Sequence, residues 1–380
     1  MKRLLSGLLA LLTVLSLTPA AHAEALAVTA QACILMEKTT GQVLYAVNEH
    51  QQLEPASVTK VMTMLLVMEA IDSGALAYDD MVTASAYACS MGGSQIWLKE
   101  NEQLTVEDML KAVCVVSAND CSVALAEHLA GSAEAFVERM NQRAKELGMA
   151  DTHFENPTGL PAQGHVTSAY DIALMSRELI LHHPDIRRFT TIWMDTLRGG
   201  ESSLSNTNKL IRFYEGATGL KTGSTNAAQY CLSATAERDG MELIAVILKS
   251  PTSPQRFESA KVLLNYGFAA YTLVTADPPQ PLRQLPVTLG DAPAVQVRLE
   301  GENTFLTTKS RAAGIEVQVE LEERLDAPVE AGRQVGKLTA VSDGETLAVI
   351  PIVTEQSVAR LTYWQIFQRC LRMAFCGGAA

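Results

Sequence analysis

A disulfide framework is the first thing this chain lacks. Seven cysteines fall at positions 33, 89, 114, 121, 231, 370 and 376, an odd number at irregular spacing. Cys114 and Cys121 read instead as small apolar core residues. No Cys/His cluster has zinc spacing, so no metal and no other cofactor is expected. Positive charge is scarce: 30 Lys and Arg face 42 Asp and Glu, a net charge of −12, which argues against a nucleic-acid partner. Internal repeats and low-complexity tracts are missing, which argues against a solenoid or a disordered chain. Beyond the N-terminal stretch no apolar run is long enough to span a bilayer.

What is present begins with that stretch. Lys2 and Arg3 precede an apolar run from Leu4 to Leu17, and Ala21-His22-Ala23 has the form of a signal-peptidase site. The run is short and ends at Pro19, so residues 1–23 read as a removable secretory leader rather than an anchor. The expected location is outside the cytoplasm: the outer face of the membrane, peripherally, or the medium. The length of 380 residues and an apolar content of 48% allow two domains, or three, with a sizeable core.

Ala32 to Glu37 and Gln42 to Val47 read as strands joined by a turn at Thr39-Thr40-Gly41. Pro55 precedes Ser57, and an apolar run from Val58 to Ile71 predicts a buried helix stopped at Gly74. Helices are predicted from Thr105 to about Val116, from Cys121 to Ala130, from Ser132 to Gly148, and from Ser168 onward. Strands return at Gly219–Gly223, Tyr230–Glu237 and Met241–Lys249, with Asp239-Gly240 as a tight turn, and Ala260–Phe268 reads as a closing helix. Strands, helices, strands and helix in that order predict an α/β domain over residues 24–276 whose antiparallel sheet is completed by both ends of the segment. Five prolines between Pro278 and Pro293 mark a change of character, and 277–357 reads as a small all-β, sandwich-like domain. In 358–377, Leu361, Trp364, Phe367, Leu371 and Phe375 recur at helical spacing among Arg360, Arg369 and Arg372. That pattern predicts an amphipathic helix suited to a membrane surface.

Three short motifs carry the chemistry. Ser57-Val58-Thr59-Lys60 puts a hydroxyl and an amine one helical turn apart, on one face of a helix start. Ser117-Ala118-Asn119 falls in the break between two helices, and Lys221-Thr222-Gly223 lies on a strand. A serine hydroxyl is a weak nucleophile and needs a nearby base. No histidine stands in a suitable motif, but Lys60 can serve if it is neutral. Burial and a second cation, here Lys221, both push a lysine in that direction. Ser117 can relay a proton and Asn119 can bond a substrate peptide group. Lys221 and Thr222 can grip a terminal carboxylate, and Gly223 lets the strand approach a ligand closely. The backbone N–H groups of Ser57 and Ser224 are candidate oxyanion donors.

The ordered set resembles that of the serine-type D-alanyl-D-alanine carboxypeptidases, the low-molecular-weight penicillin-binding proteins. Asn156-Pro157-Thr158-Gly159-Leu160, Thr167-Ser168-Ala169-Tyr170-Asp171, Gly92-Gly93-Ser94-Gln95 and Gly219–Gly223 are also similar to family segments. The likeness spans nearly the whole mature chain and is greatest to a Gram-positive subgroup with sporulation-associated members. It implies a β-lactamase/transpeptidase-like catalytic fold. It also implies attack by Ser57 on the D-Ala–D-Ala bond of a peptidoglycan stem peptide, and acylation of Ser57 by β-lactam antibiotics. Arg256, in a segment from Pro251 read as a loop, is implied to sit near the substrate carboxylate. Ser224 stands where some members carry histidine. An endopeptidase or a transpeptidase would share these motifs, whereas a non-catalytic wall-binding protein would carry a broken motif, and none is broken here. A β-lactamase would need a Glu-x-x-x-Asn-like segment, and none is found.

Overall fold

The computed structural model describes residues 26–375, so the expected leader lies outside the described residues. Five strands form one antiparallel sheet: β1 (Ala32–Glu37), β2 (Val43–Val47), β3 (Ala217–Thr225), β4 (Gln229–Arg238) and β5 (Met241–Ser250). Their order is β2-β1-β5-β4-β3, so the sheet joins both ends of the segment and leaves β3 at an edge. Asp239 and Gly240, at φ +51° and +77°, make the β4–β5 turn, which an Asp-Gly pair accommodates with little strain.

Both faces of the sheet are covered, so β1 and β5 are apolar at nearly every position. Ile34, Met36, Ile244, Val246 and Leu248 point into one core; Cys33, Leu35, Leu243, Ala245 and Ile247 point into the other. The first core is filled by α1 (Lys60–Asp72), α2 (Val106–Val115), α3 (Asn119–Ala130), α4 (Ala133–Glu146) and α5 (Ala169–His182). The second is closed by α6 (Ser253–Ala270). Each fully buried Leu, Ile or Met side chain contributes about 1.5–3 kcal/mol by leaving water.

The helix starts follow their capping residues. Thr105 Oγ1 accepts from Asp108 N at 3.1 Å, Ser132 Oγ from Ala135 N at 3.1 Å, and Ser168 Oγ from Asp171 N at 3.2 Å. Such a cap is worth about 1 kcal/mol. The closing helix differs from expectation. It begins at Ser253, seven residues before Ala260, because Thr252 Oγ1 caps it and Pro254 occupies its first turn, where a missing N–H costs nothing. Arg256 is therefore in the first turn of α6 and not in a loop. A hairpin of Met194–Leu197 with Ser202–Ser205 had no clear signal in the sequence.

The β-rich part packs a three-stranded sheet (Ala294–Val295, Leu285–Thr288, Leu325–Asp326) and a four-stranded sheet (Val297–Leu299, Glu345–Thr354, Gln334–Ser342, Glu316–Leu321) around one core. A further strand, Tyr271–Thr275, runs on from α6 and pairs with Thr304–Thr308. The last helix, α7 (Tyr363–Phe375), leaves Tyr363 (95% exposed), Trp364 (66%), Phe367 and Leu371 in solvent.

Candidate active site

The nucleophile motif folds as a 3-10 turn, Ala56–Thr59, that runs directly into α1. Ser57 is half-buried in that turn and Lys60 is fully buried at the helix start. Three oxygens surround the Lys60 amine: Asn119 Oδ1 at 2.6 Å, the carbonyl of Thr158 at 2.7 Å, and Ser57 Oγ at 3.1 Å. The two shorter contacts are to groups that can only accept. A neutral amine has two N–H bonds for them and one lone pair left, which then faces the Ser57 hydroxyl. Burial, and next the charge of Lys221, push Lys60 well below the ordinary lysine range, while Asp120 pulls weakly the other way.

Lys221 is also buried and is pushed down to about 7, chiefly by burial, with the charge of Arg256 adding to the fall. The Lys221 amine donates to the Thr222 carbonyl at 2.9 Å, and the Thr222 and Thr207 hydroxyls lie 2.7 Å apart. Cys114 packs beside Met64 with its sulfur atoms 3.2 Å apart, and burial pushes its thiol up to about 12, so it is an inert neutral group under the site.

The second motif straddles a strained step. Ser117 has φ +64°, a left-handed conformation uncommon for serine, and its Oγ is buried with no hydrogen-bond partner among the described residues. Asn119 is not in the break but in the first turn of α3, because the helix starts two residues earlier than its apolar pattern suggests. Its Nδ2 donates to the Gly92 carbonyl at 2.6 Å. Both ends of the Asn119 amide thus have internal partners, and one N–H remains for a ligand.

Close backbone approach holds the pieces together. A Cβ on Gly223 would lie 2.8 Å from Ser57 N, and one on Gly159 would lie 1.8 Å from the Ala56 carbonyl oxygen. β3 therefore abuts the nucleophile turn on one side and the Asn156–Leu160 loop abuts it on the other. Ser224 is exposed on the same strand. The Arg256 guanidinium donates through Nη1 to the Gly223 and Cys231 carbonyls, both at 3.1 Å, so here it braces the strand behind the site. Among the described residues no group of three or more His, Cys, Asp or Glu side chains could hold a metal ion.

A family model described as D-alanyl-D-alanine carboxypeptidase matches residues 19–252, and one described as the penicillin-binding protein 5 C-terminal domain matches 272–360. The chain belongs to the D-alanyl-D-alanine carboxypeptidase family. The carboxypeptidase DacF of Bacillus subtilis is 39% identical over 98% of both chains, and DacD of Escherichia coli is 35% identical over 86% of both. Penicillin-binding protein 5 from Haemophilus influenzae superposes with a TM-score of 0.77 at 31% identity, covering 88% of this chain and 98% of that one. Penicillin-binding protein D2 from Listeria monocytogenes in its ampicillin-bound form gives 0.57 at 33% identity, covering 64% of this chain and 100% of that one.

Several residues that shape the site of this carboxypeptidase carry no motif signal of their own. Asn156 Oδ1 accepts from Thr158 N, Thr158 Oγ1 and Gly159 N, which folds the loop that presents the Thr158 carbonyl to Lys60. Asp120 accepts from the backbone of Ile96 and Leu98 and pins the Gly92–Leu98 segment against α3. Asn-Pro-x-Gly, and an acid inside an apolar run, were the available hints.

His165 is a third. Its Nδ1 accepts from Glu155 N at 3.1 Å, so Nε2 carries the proton and donates to Thr59 Oγ1 at 2.7 Å. Thr59 in turn donates to the Ala56 carbonyl at 2.9 Å, which steadies a residue held at φ +48°. Burial pushes His165 down to about 4. The unfolded chain binds the proton first, at about pH 6.5, so stability is complete above that pH and falls as pH drops toward 4, by up to roughly 3 kcal/mol. Thermal melts from pH 7 to 4 should show this loss, and His165→Gln should flatten that part of the profile; equal acid slopes would refute the assignment.

Proposed function

We propose that this family member removes the terminal D-alanine from peptidoglycan stem peptides through an acyl-enzyme on Ser57. The observation that carries the assignment is the buried Lys60 amine, 3.1 Å from Ser57 Oγ and saturated by two acceptors. In this reading Lys60 takes the Ser57 proton as Oγ attacks the carbonyl of the penultimate D-alanine. The N–H groups of Ser57 and Ser224 receive the developing oxyanion. Ser117, with its unpartnered hydroxyl, passes the proton to the leaving amine. Asn119 holds Lys60 and offers an N–H to the substrate peptide. Lys221 and Thr222 grip the terminal carboxylate, Gly223 gives it access, and Arg256 supports that strand with its charge near the same anion. Water then hydrolyses the ester. β-Lactam antibiotics acylate Ser57 by the same route.

Release of D-alanine from diacetyl-L-Lys-D-Ala-D-Ala tests the reaction. It should vanish in Ser57→Ala together with covalent penicillin labelling; release that survives the substitution would remove Ser57 from its role.

The two-lysine arrangement makes a separate prediction. Lys60 works when neutral, so acylation rises with pH through its pKa. Replacing Lys221 by Gln removes the cation that lowers Lys60, so the acid limb of penicillin acylation should move to higher pH, beside a large fall in rate. An unmoved limb would show that Lys221 does not tune the base.

We further propose division into a catalytic domain over 24–276 and a β-rich domain over 277–357. The protein is taken to be exported and to act at the outer face of the cytoplasmic membrane. Exposed Trp364, Phe367 and Leu371 on a helix with Arg369 and Arg372 support peripheral binding to an anionic surface. Among the described residues no helix is long and apolar enough to cross a membrane. Residues 24–380 should co-sediment with vesicles containing phosphatidylglycerol, and Trp364→Ala with Phe367→Ala should release the protein. Equal sedimentation of the double variant would refute the role of this face.

A further inference from the structure

A pocket of about 260 Å³ opens beside the nucleophile turn, lined by Glu54, Gly159, Gln163, His165, Thr225 and Ala227 among others. It is too small for a whole ligand and about right for one long side chain. It contains one ionised group. His165 is held neutral by burial, and the Glu54 carboxylate is exposed, with no ion pair among the described residues.

The polarity of β3 says which part of a substrate comes here. β3 is the sheet edge, so an extended peptide can add to it as a further strand. Resting on the carboxypeptidase reading above, the terminal carboxylate lies at Lys221 and Thr222. The scissile carbonyl lies opposite Gly223, where the Ser57 turn touches the strand. At roughly 3.4 Å per residue, the peptide's preceding residues then run toward Thr225 and the β3–β4 turn. The pocket is at that end, since Thr225 and Ala227 form part of its wall.

We propose that this pocket takes the side chain of the residue immediately before the D-Ala–D-Ala dipeptide, and that Glu54 selects a side chain ending in an ammonium group. Glu54 thereby sets specificity on the acyl side without touching the reacting atoms. Its partner would be solvent-accessible, so the gain is modest and screened by salt.

The test compares Nα-acetyl-L-Lys-D-Ala-D-Ala, which has a free ε-amine, with its Nα,Nε-diacetyl counterpart at low ionic strength. The wild-type enzyme should favour the free amine by about fivefold in kcat/KM, chiefly through KM, and the preference should shrink in high salt. Glu54→Gln should abolish the preference. Glu54→Lys should reverse it toward an Nε-succinyl substrate, which shows that the altered protein is folded and active. A preference unchanged in Glu54→Gln, or no preference in the wild type while D-alanine is released from both peptides, overturns the pocket assignment alone. Release from neither peptide overturns the carboxypeptidase reading on which it rests.

Discussion

The proposed chemistry depends on keeping one amine, that of Lys60, uncharged inside the protein. Burying a lysine is costly, and the usual escape is to lose the proton. Lys60 sits at the first turn of α1, where no carboxylate pairs with it; its oxygen neighbours are an amide, a carbonyl and a hydroxyl. Those groups stabilise an amine without supplying the negative charge that would favour an ammonium. Asp120, the nearest opposing influence, spends its carboxylate on the backbone N–H groups of Ile96, Leu98 and Cys121. In the proposed reaction the motif's Lys serves as a base because of what surrounds it, and two of its three partners come from chain segments far from it in sequence.

Positioning those partners requires main chains to touch. Gly223 and Gly159 bracket the Ser57 turn so tightly that even a methyl group at either position would meet backbone within 3 Å. On the far side, His165 and Thr59 tie the same turn to the Glu155–His165 loop. The serine is thus held from three directions by groups that do no chemistry. Such over-determination is what permits Ala56 to remain at positive φ, at a cost of order 1–3 kcal/mol.

Most of this was legible from residues in order. The apolar runs of β1 and β5, the caps at Thr105, Ser132 and Ser168, and the Asp239-Gly240 turn are local signals, and each gave an element close to its observed place. What escaped were features set by distant contacts. The start of α6 was missed because the apolar stripe begins later than the Thr252 cap and Pro254. Asn119 was placed in a break because the turn before it, at Ser117, has no sequence marker. The Thr158 carbonyl could not be foreseen at all: it is a backbone atom, and its role exists only once the loop at 156–160 lies across α1. His165 stands in no motif, and its role exists only once the fold brings Thr59 to it.

Several departures from ordinary folding rules also meet at this site. Two buried lysines, two of the eleven non-glycine residues at positive φ and one buried serine hydroxyl without a partner among the described residues lie around Ser57. A chain selected for stability alone would remove them, since each costs free energy that the sheet and helices must offset. Their presence here fits the proposed requirement for a poised nucleophile and base in a rigid setting. Ser117 shows the logic most plainly. A hydroxyl buried without a partner is unfavourable in the resting protein, and a substrate that supplies the missing partner during reaction gains what the fold has left unspent.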